Sequence, residues 1–272
     1  MTDASIDLDA YFARIGYRGP RAPALDTLRA LHALHPAAIP FEAIDVLLGR
    51  GVDLAPAAVD AKMIAGRRGG YCFEHNSLFM RVLEALGFTV EGLGARVRYL
   101  VPPGNPPGAR SHMALRVTID GKPWLADVGF GGCVASAPLR LDTDAAQPTA
   151  QESFRLVPEG QSQVLEVQRG KDWLPLYEIL PERQVAADYT VANWFTAANP
   201  NSLFRKTMMV ARVTPEARYA LLDNRFTIRK TNGETEQRTL DAAQLERVLA
   251  GEFGLPVEPS WRPVIARAAT TS

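Results

Sequence analysis

The sequence is poor in cysteine and histidine: its 272 residues include two cysteines, Cys72 and Cys133, and four histidines. So few ligands, at no paired spacing, exclude a structural zinc site and a disulfide framework. Net charge is missing too, because 30 basic residues balance 30 acidic ones. No field of one sign therefore favours nucleic acid or an anionic membrane. Long apolar runs are also lacking, and none approaches the roughly 20 residues of a membrane span. The opening MTDASIDLDAYFARIGY has acids where an export signal carries a basic stretch and then an apolar run. The expectation is a cytoplasmic protein with two free thiols.

Hydrophobic residues make up 47% of the chain and charged residues 22%, in the ordinary range for a globular protein with an ample core. The first ninety residues read as helical. Leu8, Tyr11, Phe12 and Ile15 recur at the period of one buried helix face. Leucines from Leu25 to Leu34 predict a second helix that stops before Pro36, with His32 and His35 at the surface or capping it. A third helix is predicted from Cys72 to Leu86, ended by Gly87. After Gly87 the period falls to 2. Strands are predicted at Leu93–Tyr99 (one face in water), Met113–Ile119, Trp124–Val128, Phe154–Val157, Val164–Gln168 and Trp173–Leu180. Short strands with frequent turns suggest an antiparallel sheet closing toward a barrel. Residues 101–110, rich in proline and glycine, read as an exposed loop. A connecting helix is expected over Asp188–Ala198, strands at Met208–Val213 and Phe226–Thr231, and a helix at Ala242–Ala250. The fold class is α+β, divided into 1–90 (helical), 91–187 (β), 188–207 (connecting helix and linker) and 208–272 (mixed).

The run Arg67-Arg68-Gly69-Gly70-Tyr71-Cys72 carries the chemistry. Two glycines permit a tight turn, and Cys72 then falls in the first turn of a helix. Unpaired N–H groups and the helix dipole there favour a thiolate and can hold an oxyanion. Against this stands the plain alternative of a small buried cysteine. Cys133 has no such setting and reads as packing. Of the histidines, His75 shares the helix of Cys72 but is poorly aligned for proton transfer. His112 has a derivable partner. Asp120-Gly121 is a hairpin signal, and a two-residue loop pairs Ile119 with Lys122. Asp127 then lies diagonal to His112 on one face, about 7–8 Å away at Cα. Nucleophile, base and orienting acid follow as Cys72, His112 and Asp127. An aspartate near a strand end can also be a simple turn former.

These segments resemble the arylamine N-acetyltransferases, in which RGG-aromatic-Cys opens the catalytic helix. The likeness extends through DLDAYFARIGY, IPFEAID, SHMALRV, ADVGFGG and NWFTAANPNSLFRK, most of residues 6 to 210. It implies an N-terminal helical bundle, a central antiparallel β-barrel and a C-terminal α/β lid, with a cysteine-protease-like triad. It implies Cys72 as acyl acceptor, His112 as base and Asp127 as its partner. Gly129, Phe130, Gly131 and Gly132 would lie where coenzyme A enters, and Phe41, Phe130 and Phe204 would line the acceptor pocket. Glu42 and Arg68 match a buried ion pair, and Asn76, one turn beyond Cys72, falls near Asp127. The sequence departs from the family at His75, where many relatives have glutamine, and at Ala43, where asparagine is common.

The function so implied is N-acetylation of arylamines and hydrazines. Acetyl-CoA is the cosubstrate and an acetyl-cysteine thioester the intermediate, with no resident cofactor or metal. Partners would be these small molecules rather than nucleic acid or membrane. A Cys-His-Asp hydrolase and a macrolactam-forming amide synthase use similar parts and remain alternatives, as does a binding protein in which Cys72 merely packs.

Overall fold

The computed structural model describes residues 5–102, 104–106 and 108–271. Pro103 and Pro107 of the expected loop, and the first four residues of the acidic N-terminus, lie outside them. The chain forms an α+β structure of helices, an eight-stranded sheet and a five-stranded sheet.

Helix α1 (Leu8–Ile15) is capped by Asp7, which accepts from Ala10 N, and ends at Gly16 with φ 73°. Helix α2 (Leu25–Ala38) does not stop before Pro36 but runs through it. A proline this near the end removes only its own bond to the His32 carbonyl. The Ile39 amide still reaches His35 O at 2.8 Å. His32 and His35 are not at the surface either; both are buried. Strand β1 (Phe41–Glu42), helix α3 (Ile44–Leu47), helix α4 (Pro56–Asp60) and a π-helical turn (Ala61–Ala65) follow, all without a sequence forecast. Helix α5 (Cys72–Ala85) begins where expected, and Gly87 takes φ 85° just beyond it.

The larger sheet is antiparallel and nearly closes into a barrel. Its members are β2 (Thr89–Val97), β3 (His112–Ile119), β4 (Lys122–Ala126), β5 (Leu139–Arg140), β6 (Gln147–Pro148), β7 (Ser153–Glu159), β8 (Ser162–Arg169) and β9 (Asp172–Gln184). Their order is β5-β4-β3-β2-β9-β8-β7-β6. The β3–β4 hairpin has the forecast register, Ile119 opposite Lys122. Asp120 and Gly121 both take positive φ, 50° and 72°, as a two-residue hairpin loop of this type requires. Strand β2 differs from its reading, because its centre is buried on both faces. Helix α6 (Ala186–Ala198) lies across it, and a Cβ on Gly92 would come 2.3 Å from the Tyr189 hydroxyl oxygen.

The smaller sheet has the order β1-β10-β11-β12-β13, formed with β10 (Met209–Val213), β11 (Ala217–Leu222), β12 (Arg225–Lys230) and β13 (Thr235–Thr239). Helices α7 (Ala242–Gly251) and α8 (Arg262–Ala269) pack on it around Phe226, Leu245, Phe253 and Trp261. A second core lies inside the barrel around Phe154, Leu156 and Tyr177. The third joins the first helices to one face of β3 and β4. That junction holds Cys72. No helix among the described residues is long and apolar enough to cross a membrane.

Candidate active site

Close packing explains the glycines before Cys72. A Cβ on Gly69 would lie 2.0 Å from the Pro40 carbonyl oxygen, and one on Gly70 would lie 2.8 Å from the Glu74 side chain. Only glycine passes between these groups. Tyr71 is extended, and its amide donates to Glu74 Oε2 at 3.0 Å. Cys72 is then the first residue of α5, at a helix start that carries no conventional side-chain cap. The helix field there favours an anion.

His112 opens β3 and Asp127 follows β4, so the hairpin brings them to one end of the sheet. His112 Nε2 donates to Asp127 Oδ2 at 2.7 Å. The other ring nitrogen is left for Cys72, whose thiol lies 3.7 Å from the carbonyl oxygen of Ser111. All three residues are at most 5% exposed, so the group is shielded from bulk water. Burial works against an imidazolium at His112. Asp127 and the neighbouring Cys72 outweigh it and push the ring up to about 10. For Asp127, burial favours the neutral acid, but His112, Asn76 and the Gly129 amide hold the carboxyl down to about 2.

Asn76 uses its whole amide. Nδ2 donates to Met113 O at 2.7 Å and to Asp127 Oδ1 at 2.9 Å, and Oδ1 accepts from Val128 N at 3.1 Å. One side chain thus fastens α5 to both strands of the hairpin. Gly129 donates to Asp127 Oδ1 at 2.9 Å, and a Cβ there would sit 2.8 Å from Cys72 Cα. Close approach of the backbone to the cysteine accounts for this glycine. Gly131, with φ 64°, faces the Phe41 ring.

The other three histidines are inside the molecule. His32 Nε2 accepts from the Asp127 amide at 3.1 Å. His75 Nε2 donates to Pro40 O at 3.2 Å. Burial lowers His75 to about 4, so the ring is neutral and its Nδ1 must accept, at 2.8 Å, from His35 Nε2. His35 Nδ1 in turn accepts from the Tyr11 hydroxyl at 2.8 Å. The direction of the chain follows from its last acceptor, a carbonyl. His75 is fully committed there and points away from proton transfer.

Phe41 and Phe204 adjoin with ring centres 6.0 Å apart, and Tyr71 meets Phe204 edge-on at 5.8 Å. Phe130 has other neighbours, His112 at 5.0 Å and Tyr177 at 4.9 Å. Arg68 pairs with Glu42 at 2.8 Å, and the guanidinium also covers the Trp261 ring at 4.6 Å. A groove of about 570 Å³ separates the barrel from the smaller sheet, with Arg169, Arg218, Arg229 and Lys230 in its walls together with Glu152, which pairs with both Arg169 and Arg218. Arg218 also donates to the Gly132 carbonyl oxygen at 3.3 Å, linking this basic groove to the loop after Asp127. Sequence reasoning did not find His32, Tyr177 or this groove, because each depends on contacts between distant segments.

A family model described as N-acetyltransferase matches residues 24–262. An arylamine N-acetyltransferase of Escherichia coli (strain K12) is 42% identical over 253 residues, 92% of this chain and 89% of that protein. The chain belongs to the arylamine N-acetyltransferase family. It is accordingly an acyltransferase. The enzyme of that name from Mycolicibacterium smegmatis is 38% identical over 97% of this chain and 98% of its own. The solved structure of the Mycobacterium marinum arylamine N-acetyltransferase superposes with a TM-score of 0.93 at 39% identity, covering 97% of this chain and all of that one. The structure of the M. marinum protein in complex with CoA aligns at a TM-score of 0.91 and 40% identity, over 97% of this chain and 98% of that one.

Proposed function

We propose that this protein transfers acetyl groups from acetyl-CoA to arylamines and hydrazines by a two-step exchange through Cys72, acting in the cytoplasm. The observation that carries the reading is the buried His112–Asp127 pair beside a cysteine at a helix start. The Cys72 thiolate attacks the acetyl carbonyl carbon. The tetrahedral oxyanion collapses, the bond to the coenzyme A sulfur breaks, and the His112 imidazolium protonates that sulfur. In the second step the amine nitrogen attacks acetyl-Cys72. His112 takes the nitrogen's proton, and the Cys72 thiolate leaves, forming the amide. Asp127 holds the imidazole in its tautomer and stabilises its charged form.

Coenzyme A would enter along Gly129–Gly132, its anionic phosphates drawn toward the basic groove beside that loop. Phe41 and Phe204 supply apolar ring surface for an aromatic acceptor, with Phe130 closing the His112 side. Incubation with acetyl-CoA and no amine tests the scheme by peptide mass mapping. The acetyl group is expected on Cys72 and absent from Cys133. His112→Gln should abolish this labelling, whereas His75→Gln should retain it, because a glutamine amide can both donate to Pro40 O and accept from His35. Acetyl found only away from Cys72 would end the proposal.

A further inference from the structure

A cluster of buried charge lies behind the Cys72 helix start, and the acyl-transfer chemistry does not use it directly. Lys62 lies in the rare π-helical turn Ala61–Ala65 and reaches into this cluster, and such turns are frequent at functional sites. Lys62 Nζ lies 2.7 Å from Glu74 Oε1 and 2.8 Å from Asp45 Oδ2. Arg68 pairs with Glu42 and, at 3.0 Å, with Asp45. The inner cluster therefore sets Lys62 and Arg68 against Glu42, Asp45 and Glu74.

Glu74 has two opposed effects. One oxygen accepts the Tyr71 amide and so fixes the residue before the cysteine. Its charge, two positions along α5 from Cys72, disfavours a second anion on the sulfur. Lys62 on the other oxygen offsets that charge, although burial, with Glu42 nearby, still holds the Glu74 carboxyl above its ordinary range. From the other side Cys72 faces His112 and, behind it, Asp127, with the Tyr71 phenol adjacent on its own segment.

We propose that Lys62 is a positioning residue of the acyl-transfer site, which neutralises Glu74 so that the carboxylate can hold the Tyr71 backbone without opposing the Cys72 thiolate. This rests on the reading of Cys72 as the nucleophile. The readout is therefore the pH profile of Cys72 alkylation by iodoacetamide, quantified by mass, which requires no acetyl transfer. Lys62→Met should move the midpoint of that profile upward by about one pH unit. Glu74→Gln keeps an oxygen acceptor for Tyr71 and loses the charge, so its midpoint should move downward. The Lys62→Met, Glu74→Gln double variant should return close to the unmodified protein, and Lys62→Arg should match it throughout. Unchanged midpoints in folded variants, whatever their melting temperatures, would overturn the proposal by leaving Lys62 a purely structural role. Should Lys62→Met fail to fold, Glu74→Gln decides alone: a downward shift supports the assignment and no shift refutes it. Absence of acetyl labelling in the unmodified protein, with the alkylation shifts intact in the variants, would instead count against the acyl-transfer scheme alone.

Discussion

At the scale of single residues, the His112–Asp127 pair ties stability to pH in a defined direction. His112 is raised in the folded protein to about 10 from the ordinary ~6.5, so its contribution is complete below that ordinary value and is lost as pH rises through the folded one. Asp127 is depressed to about 2, so its contribution is present above ~3.9 and lost as pH falls through the folded value. The pair should stabilise most between roughly pH 4 and 6.5 and progressively less toward pH 10. Asp127→Asn removes the larger attraction and leaves burial, which lowers His112, opposed only by Cys72. Melting temperatures of that variant should fall much less between roughly pH 6.5 and 10 than those of the unmodified protein. Parallel melting curves for the two proteins across this range would contradict the coupling. The placement of Cys72 at a helix start and of His112 beside Asp127 was legible in the sequence because each has a local signal: a glycine turn before a helix, and a hairpin whose register fixes a diagonal. His32 and His35 were misread as surface residues. Their partners, the Asp127 amide in one case and Tyr11 with His75 in the other, come from segments that no local pattern connects to α2.

At the scale of elements, the β3–β4 hairpin carries the site, and its loop chemistry is open to direct test. Gly121 sits at φ 72°, a conformation that a β-branched side chain resists. Gly121→Val should cost about 1–2 kcal/mol in urea unfolding, the ordinary penalty of a left-handed residue. The folded fraction should keep its catalytic rate, since the pairs from Thr118↔Pro123 to Leu115↔Ala126 still fix the register. A large loss of rate without loss of stability would mean that the loop itself shapes the site. Elements with clear periodicity were readable: α1, α5, α7 and most barrel strands lie within a few residues of their sequence assignments. The unread ones lack that signal. Strand β13, TEQRT, is exposed along its whole length and has no apolar alternation. Strand β11, ARYALL, is rich in alanine and leucine, which suit a helix equally well. Helix α8 is eight residues long with a proline in its first turn.

At the scale of the whole molecule, the first and last parts of the chain are interlocked rather than merely adjacent. Phe41 and Glu42 supply the edge strand of the C-terminal sheet, paired with Ala211 and Val210. Ile44 and Leu47 lie in the same apolar core as Met208, Val210 and Trp261. Arg212 donates to the carbonyl oxygens of Ala37 at 2.6 Å and Glu252 at 2.9 Å, joining α2 to the residue after α7. Arg68, one residue before the glycines that present Cys72, is sandwiched between Glu42 and the Trp261 ring. Removing everything after residue 207 would therefore strip the partner strand from Phe41, remove most of an apolar core and uncover a buried ion pair. Leaving a buried charge without its surroundings is among the costlier changes a fold can suffer. The intact protein is expected to unfold in one transition seen alike by fluorescence and circular dichroism. A chain ending at residue 207 should lose that cooperativity and fail to acetylate Cys72, although Cys72, His112 and Asp127 are all present in it. A truncated chain that melted at the full-length temperature and still formed the acyl-enzyme would show instead that the C-terminal sheet is dispensable to the site.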